Sequence, residues 1–226
     1  MRGKMEKNQV IFNVEEPERD LEEAVKVLRS NLIYSGEDTH VVVVTSVQPA
    51  EGKSTVSFLL AKSFADLKKK TLYIDADLRK SEMAARYGID VRMDGLSEFL
   101  TGQRANIVYD TNFPYLNFVA SGKKPPNPTE LLSGSRFAEF LQVVRKAYDV
   151  VIIDTPPVGT VVDASIVGRH ADGVLMVVRN DFTKKEALRR ARRQILQNGG
   201  KILGCVENRV KRYKKGYYGY GKYYGE

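Results

Sequence analysis

The chain has 226 residues, 42% of them hydrophobic, and a single cysteine, which suits one globular domain with a small appendage and excludes wholesale disorder and a disulfide framework. One cysteine also excludes a Cys-rich metal site and fits a reducing compartment. The net charge of +8 resides in residues 184–193 and 209–226, +5 each, over a body at −2 for residues 1–183, which argues against a nucleic-acid-binding surface on the domain.

The N-terminal MRGKMEKNQVIF is charged and lacks an apolar region of signal-peptide length. Residues 18–34 predict an amphipathic helix, because Leu21, Val25, Leu28 and Leu32 recur at helical spacing. HVVVVTSV (40–47) is a β-branched run far short of the ~20 apolar residues of a membrane span, and it predicts a strand buried on both faces. A helix over 54–68 and a strand TLYIDAD (71–77) follow. Further strands are predicted at YDVVIIDTPP (148–157), GVLMVVRN (173–180) and KILGCVEN (201–208), with a charged helix at 183–198. Strands alternating with helices predict a three-layer α/β fold on a mainly parallel sheet. The division is an N-terminal extension (1–17), a nucleotide-binding domain (18–208) and a flexible tyrosine-rich tail (209–226) in a cytoplasmic protein.

TSVQPAEGKST (45–55) sits between a buried strand and a helix, the setting of a phosphate-binding loop. On that reading Glu51, Gly52, Lys53, Ser54 and Thr55 surround the nucleotide. Lys53 reaches the β- and γ-phosphates, Ser54 ligates Mg²⁺, and Thr55 lies near the α-phosphate. Val47 stands where the phosphate-loop pattern has its first glycine. Asp75, Asp77 and Asp154 close apolar strands, and the carboxyl ends of parallel strands are where ligands bind. Hard oxygen donors beside a triphosphate predict Mg²⁺, with the Ser54 hydroxyl as a ligand and Asp154 behind the metal. His40 and His170 stand near no cysteine and predict no metal site.

TSVQPAEGKST, LYIDADLR, SGKKPPNPTELL and VVIIDTPPV, closed by a tyrosine-rich C-terminus, resemble the bacterial tyrosine kinases (BY-kinases) of capsule and exopolysaccharide biosynthesis. The resemblance runs from about residue 18 to the end. It implies a P-loop fold that moves the γ-phosphate of ATP to tyrosine with Mg²⁺, with Lys53, Asp75 and Asp77 as catalytic residues. Asp75 would activate the attacking hydroxyl, Asp77 and Asp154 would organise the Mg²⁺, and Arg79 would order its loop by pairing with a carboxylate. Asn208 and Arg209 resemble adenine-contacting positions of related ATPases. The family's self-association helix, E-x-x-R-x-x-R, reads here as Glu23, Lys26 and Arg29, where lysine keeps the charge and loses the bidentate fork. The family's loop has a glycine where Ala50 stands, which costs roughly 1 kcal/mol if that position needs a positive φ.

Six of the twelve tyrosines, Tyr213, Tyr217, Tyr218, Tyr220, Tyr223 and Tyr224, fall in the last 14 residues. In the family such clusters are autophosphorylated in trans, and at about −1.5 to −2 charges per site modification would reverse the sign of this tail. The resemblance also implies a membrane-bound activator of the chain-length-regulator type that recruits the chain to the inner membrane face. It further implies a homo-oligomer, a cognate tyrosine phosphatase and sugar-pathway enzymes as substrates. The basic helix reads either as a solvated face or as one that meets anionic headgroups or a membrane partner. The competing function is a ParA/MinD-type ATPase acting as a nucleotide-gated switch. Gln48 stands where that class has its signature lysine.

Overall fold

The computed structural model describes residues 9–36, 39–90 and 93–210. In chain order these form β1 (Gln9–Val10), α1 (Arg19–Tyr34), β2 (Val41–Ser46), α2 (Lys53–Asp66), β3 (Thr71–Asp75), α3 (Met83–Tyr87), α4 (Leu96–Leu100) and β4 (Tyr109–Thr111). They continue with β5 (Leu116–Val119), α5 (Pro128–Ser133), α6 (Ser135–Ala147), β6 (Val150–Asp154), α7 (Asp163–Gly168), β7 (Gly173–Arg179), α8 (Lys185–Gln197) and β8 (Ile202–Asn208). The eight strands make one sheet in the order β1-β4-β5-β3-β6-β2-β7-β8, parallel throughout except at the β4–β5 pair.

Strand side chains alternate between faces, and here both faces are apolar. Val41, Val43, Leu72, Ile74, Val151 and Ile153 pack on one side, under Leu132, Phe137 and Leu141 of α5 and α6 and Ile195 of α8. Val42, Val44, Tyr73 and Ile152 pack on the other, under Phe58, Leu60 and Phe64 of α2. Three layers follow, as the alternation of strand and helix predicts. No helix among the described residues is long and apolar enough to cross a membrane.

The sequence reading of five strands falls short by β1, β4 and β5, which extend one side of the sheet. Where it is described, the segment before residue 18 packs on the domain. Phe12 is buried and stacks on Phe58 with ring centroids 4.9 Å apart. In α1, Leu32 is buried and Val25 and Leu28 pack against the core, whereas Leu21 is exposed. The basic helix buries Ala191 and Ile195 and exposes Lys185, Arg189, Arg190, Arg192 and Arg193. The tyrosine cluster lies outside the described residues, as does all of 211–226.

Candidate active site

Residues 47–52 turn the chain from β2 into α2. The loop is braced from inside by Glu51, which is fully buried. Its carboxylate accepts the N–H groups of Val47 at 2.7 Å and Gln48 at 3.0 Å, and the hydroxyl of Thr183. The Glu51 side chain, expected at the cofactor, is directed to Val47, Gln48 and Thr183. Two loop residues take left-handed backbone. Gly52, with φ +92°, is the N-cap of α2, and a Cβ there would lie 2.1 Å from Asn208 Nδ2. Ala50 has φ +65° without being glycine, so the strain foreseen for a positive φ is present.

Asp75 and Asp154 end adjacent strands and face each other across the β3–β6 ladder, both almost fully buried. Asp77 follows on the loop after β3. From the first turn of α2, Lys53 Nζ lies 3.3 Å from Asp77 Oδ2, 3.3 Å from Asp154 Oδ2 and 3.1 Å from Ser54 Oγ. Burial opposes the charge of Lys53, but Asp154, Asp77 and Asp75 together outweigh it and hold the ammonium above its ordinary pKa. Burial and the charge of Asp154 push Asp75 up to about 7, although the Ser81 hydroxyl donates to it at 2.5 Å. Burial also raises Asp154, against the pull of Lys53 and Ser54.

A cavity of about 300 Å³ opens on the loop between Pro49, Lys53, Asp77, Arg86, Pro157 and Arg209. A smaller pocket of about 80 Å³ reaches Asp75 among Ser81, Met83 and Ala120. Lys53, Ser54, Asp75, Asp77 and Asp154 are thus brought together, with Lys53 and Asp77 lining the loop cavity and Asp75 its neighbour. Thr55, at the start of the same helix, accepts a hydrogen bond from Arg86 at 2.8 Å. Arg209 lines the cavity, whereas the Asn208 amide donates to the Glu51 carbonyl at 2.9 Å, pinning β8 to the loop. Arg79 makes the carboxylate pair foreseen for it, at 2.7 and 3.2 Å from buried Asp163, and also donates to Thr129 at 2.8 Å.

The helix residues Glu23, Lys26 and Arg29 stand apart from this site. Lys26 pairs with Glu22 at 2.8 Å and Glu23 at 2.9 Å. Arg29 donates to the carbonyl and hydroxyl of Ser63 at 2.6 and 2.8 Å, and its Nε is buried without a partner. Ser81, Arg86, Asp163 and Thr183 escape the sequence reading. Each acts through a residue distant in sequence, except Ser81, which sits six positions after Asp75 in a segment that gives no signal of its own.

Over residues 39–197 the chain matches the family described as AAA domain. It is 39% identical over 204 residues to the tyrosine-protein kinase CpsD of Streptococcus agalactiae, covering 89% of each protein. Its fold superposes on the crystal structure of the chimerical protein CapA2B2 with a TM-score of 0.82 at 30% identity, over 90% of this chain and 94% of that one. The kinase domain of the Escherichia coli tyrosine kinase ETK follows at 0.77 and 32%, over 87% of this chain and 80% of that one. Likeness to the septum site-determining protein MinD of Pyrococcus horikoshii, 20% identical with a TM-score of 0.64, shows the fold alone. With a braced phosphate loop, the carboxylates of Asp75, Asp77 and Asp154 around its lysine and kinase relatives along most of its length, the chain belongs to the bacterial tyrosine-protein kinases.

Proposed function

We propose that this chain transfers the γ-phosphate of ATP to tyrosine hydroxyls, its own C-terminal cluster at Tyr213, Tyr217, Tyr218, Tyr220, Tyr223 and Tyr224 among them. The observation that carries the reading is the convergence of Lys53 with Asp77, Asp154 and Asp75 at the mouth of a helix N-terminus. Phosphoryl transfer asks a protein mainly for alignment and charge neutralisation, together with a group that orients or accepts the proton of the nucleophile. Lys53 supplies positive charge for the phosphates, and the first N–H groups of α2 supply donors. Asp75, near 7, is in the range that suits a general base toward a phenol of pKa about 10.

The donor set fits Mg²⁺. Asp154 Oδ1 is buried with no hydrogen-bond partner, and the Ser54 hydroxyl and Asp77 stand beside the same lysine. Magnesium is held through one or two carboxylates, phosphates and water rather than by an all-protein cage. When bound, the ion neutralises charge on the transferring phosphate. Ser54, Asp77 and Asp154 would hold it, and Asn208 and Arg209 would border the base.

The reading extends to a role in capsular or exopolysaccharide synthesis and export. A membrane-bound activator would recruit the chain to the inner membrane face, Glu23, Lys26 and Arg29 would mediate self-association, and a cognate phosphatase would reset the tail. Sugar-pathway enzymes would be further substrates. Support for this extension is the kinship to the named kinases. The test is incubation of the full chain with ATP and Mg²⁺, with and without an activator segment, beside Lys53→Met. Tail phosphotyrosine in the parent and none in the variant is expected. ATP hydrolysis with no phosphotyrosine, activator present, would sink the reading.

A further inference from the structure

Arg86 lines the same cavity as Lys53 and Arg209, yet no role in the reaction has been given to it. It projects from α3, which is anchored by buried Met83 and by Tyr87, whose ring lies 4.5 Å from that of Phe58. Nη1 donates to Thr55 Oγ1 at 2.8 Å, and Nη2 donates to Glu82 Oε2 at 2.7 Å. The guanidinium is therefore held at both ends of its fork, by an acid one helical turn back and by a hydroxyl 31 residues away on the phosphate-loop helix.

A threonine hydroxyl has one proton to give and two lone pairs that accept. Arg86 occupies one lone pair of Thr55, so the Thr55 proton is turned away from α3. An oxygen that already accepts from a cation is polarised and donates more strongly. Thr55 sits in the first turn of α2, the end of a helix whose free N–H groups suit phosphate.

We propose that Arg86 is a positioning residue for the nucleotide, which orients and polarises the Thr55 hydroxyl toward the α-phosphate that ATP and ADP share. This rests on the placement of Thr55 near that phosphate. Glu82 accepts from the second arm of the fork and ties the guanidinium to its own helix, while the arm on Thr55 carries the effect on the nucleotide. The contribution is uniform binding: it holds substrate and transition state alike, so its loss raises KM and spares kcat.

The test uses the full chain, titrated with the fluorescent ADP analogue mant-ADP and assayed for steady-state phosphorylation. Arg86→Ala is expected to weaken mant-ADP about tenfold and to raise KM for ATP by the same factor, with kcat within about twofold. Thr55→Val should do the same, and the double variant should be no weaker than the worse single one, because both remove one chain of donors. Arg86→Lys should recover part of the loss, since an ammonium reaches one partner and not both. Glu82→Gln separates this from simple docking of α3: it weakens the helix contact and should keep mant-ADP affinity within about threefold.

Multiplying effects in the double variant would overturn the proposal, as would Glu82→Gln weakening mant-ADP as much as Arg86→Ala. If Thr55→Val weakens binding and Arg86→Ala does not, the role of Arg86 falls while the placement of Thr55 stands. If Thr55→Val leaves binding unchanged, that placement fails and the proposal with it. Should Arg86→Ala fold poorly in a thermal melt, Arg86→Lys and Glu82→Gln decide the matter. Absence of phosphotyrosine would count against the kinase reading and leave the mant-ADP result in force.

Discussion

Lys53 Nζ rests 3.3 Å from Asp154 Oδ2, at a depth where that carboxylate keeps 1% of its side-chain surface. Without a nucleotide the lysine serves as internal counter-ion to acids that cannot reach water. Lys53→Met is expected to lose phosphotyrosine formation and also to destabilise the nucleotide-free chain by about 3 kcal/mol, because breaking a buried pair leaves charge uncompensated. Chemical denaturation without ligand checks the second effect. A variant as stable as the parent would show that the acids are already protonated or hydrated.

Ala50 holds φ +65° in the loop, a conformation that glycine adopts without a Cβ penalty. Ala50→Gly is expected to stabilise the chain by up to about 1 kcal/mol, which for a domain of this size raises Tm by about 2–4 °C. Part of the gain is offset by the greater freedom of glycine in the unfolded chain. A lower Tm would mean that the offset wins and that the alanine is comfortable where it sits.

The Glu51 carboxylate serves two loop N–H groups and the Thr183 hydroxyl. Glu51→Ala leaves those donors without an acceptor in a buried turn. A loss of about 2–4 kcal/mol is expected, together with weaker nucleotide binding as the loop loses its shape. Glu51→Gln keeps one oxygen for the N–H groups and should recover more than half of that loss. Equal destabilisation by both variants would show that the negative charge, and not the acceptor geometry, braces the loop.

Arg79 and Asp163 are unequally buried, the arginine side chain 36% exposed and the aspartate 1%. Removing the arginine strands a carboxylate with the Thr129 hydroxyl as its remaining donor, at 2.7 Å. Removing the aspartate frees a guanidinium that water already reaches. Arg79→Ala should therefore cost more stability than Asp163→Ala, by about 1 kcal/mol or more. The reverse order in urea denaturation would contradict this account.

His170 Nε2 accepts from Arg169 Nε at 3.0 Å, and burial together with that guanidinium holds the imidazole below its ordinary pKa of 6.5. The folded chain then binds protons less readily than the unfolded one. The stabilising contribution is complete above pH 6.5 and is lost as pH falls through the folded value. Replacing His170 with Phe should flatten the fall in stability on the acid side of pH 6.5. An unchanged slope would mean that other groups set it.

Much of the fold was open to reading in the sequence because a parallel sheet buried on both faces writes its strands as apolar runs. Val41–Val44 and Val150–Ile153 carry no other plausible message, and the acids that close such runs mark the ligand edge. The missed strands lack that signature: Gln9–Val10 is two residues long, and Leu116–Val119 follows a turn with Tyr115 at φ +65°. The stripe of Phe137, Phe140, Leu141 and Val144 in α6 is legible, and the reading passes over it. Glu51 shows where local pattern ends: a charged residue inside a phosphate motif suggests the ligand, and only the three-dimensional loop shows that its partners are Val47, Gln48 and Thr183. Arg86 and Asp163 gain their meaning from residues 31 and 84 positions away, a relation that no window of the chain contains.

The place of β6 in the sheet governs when the site can form. This strand lies between β2 and β3, both of which precede it by more than 70 residues, and its last residue brings Asp154 to Lys53 and Asp75. A chain still emerging during synthesis would hold the phosphate loop and its lysine long before this central strand arrives to join its neighbours. Loop closure over such separations is slow. The nucleotide pocket thus cannot close around Lys53 until the chain has been made at least as far as Asp154.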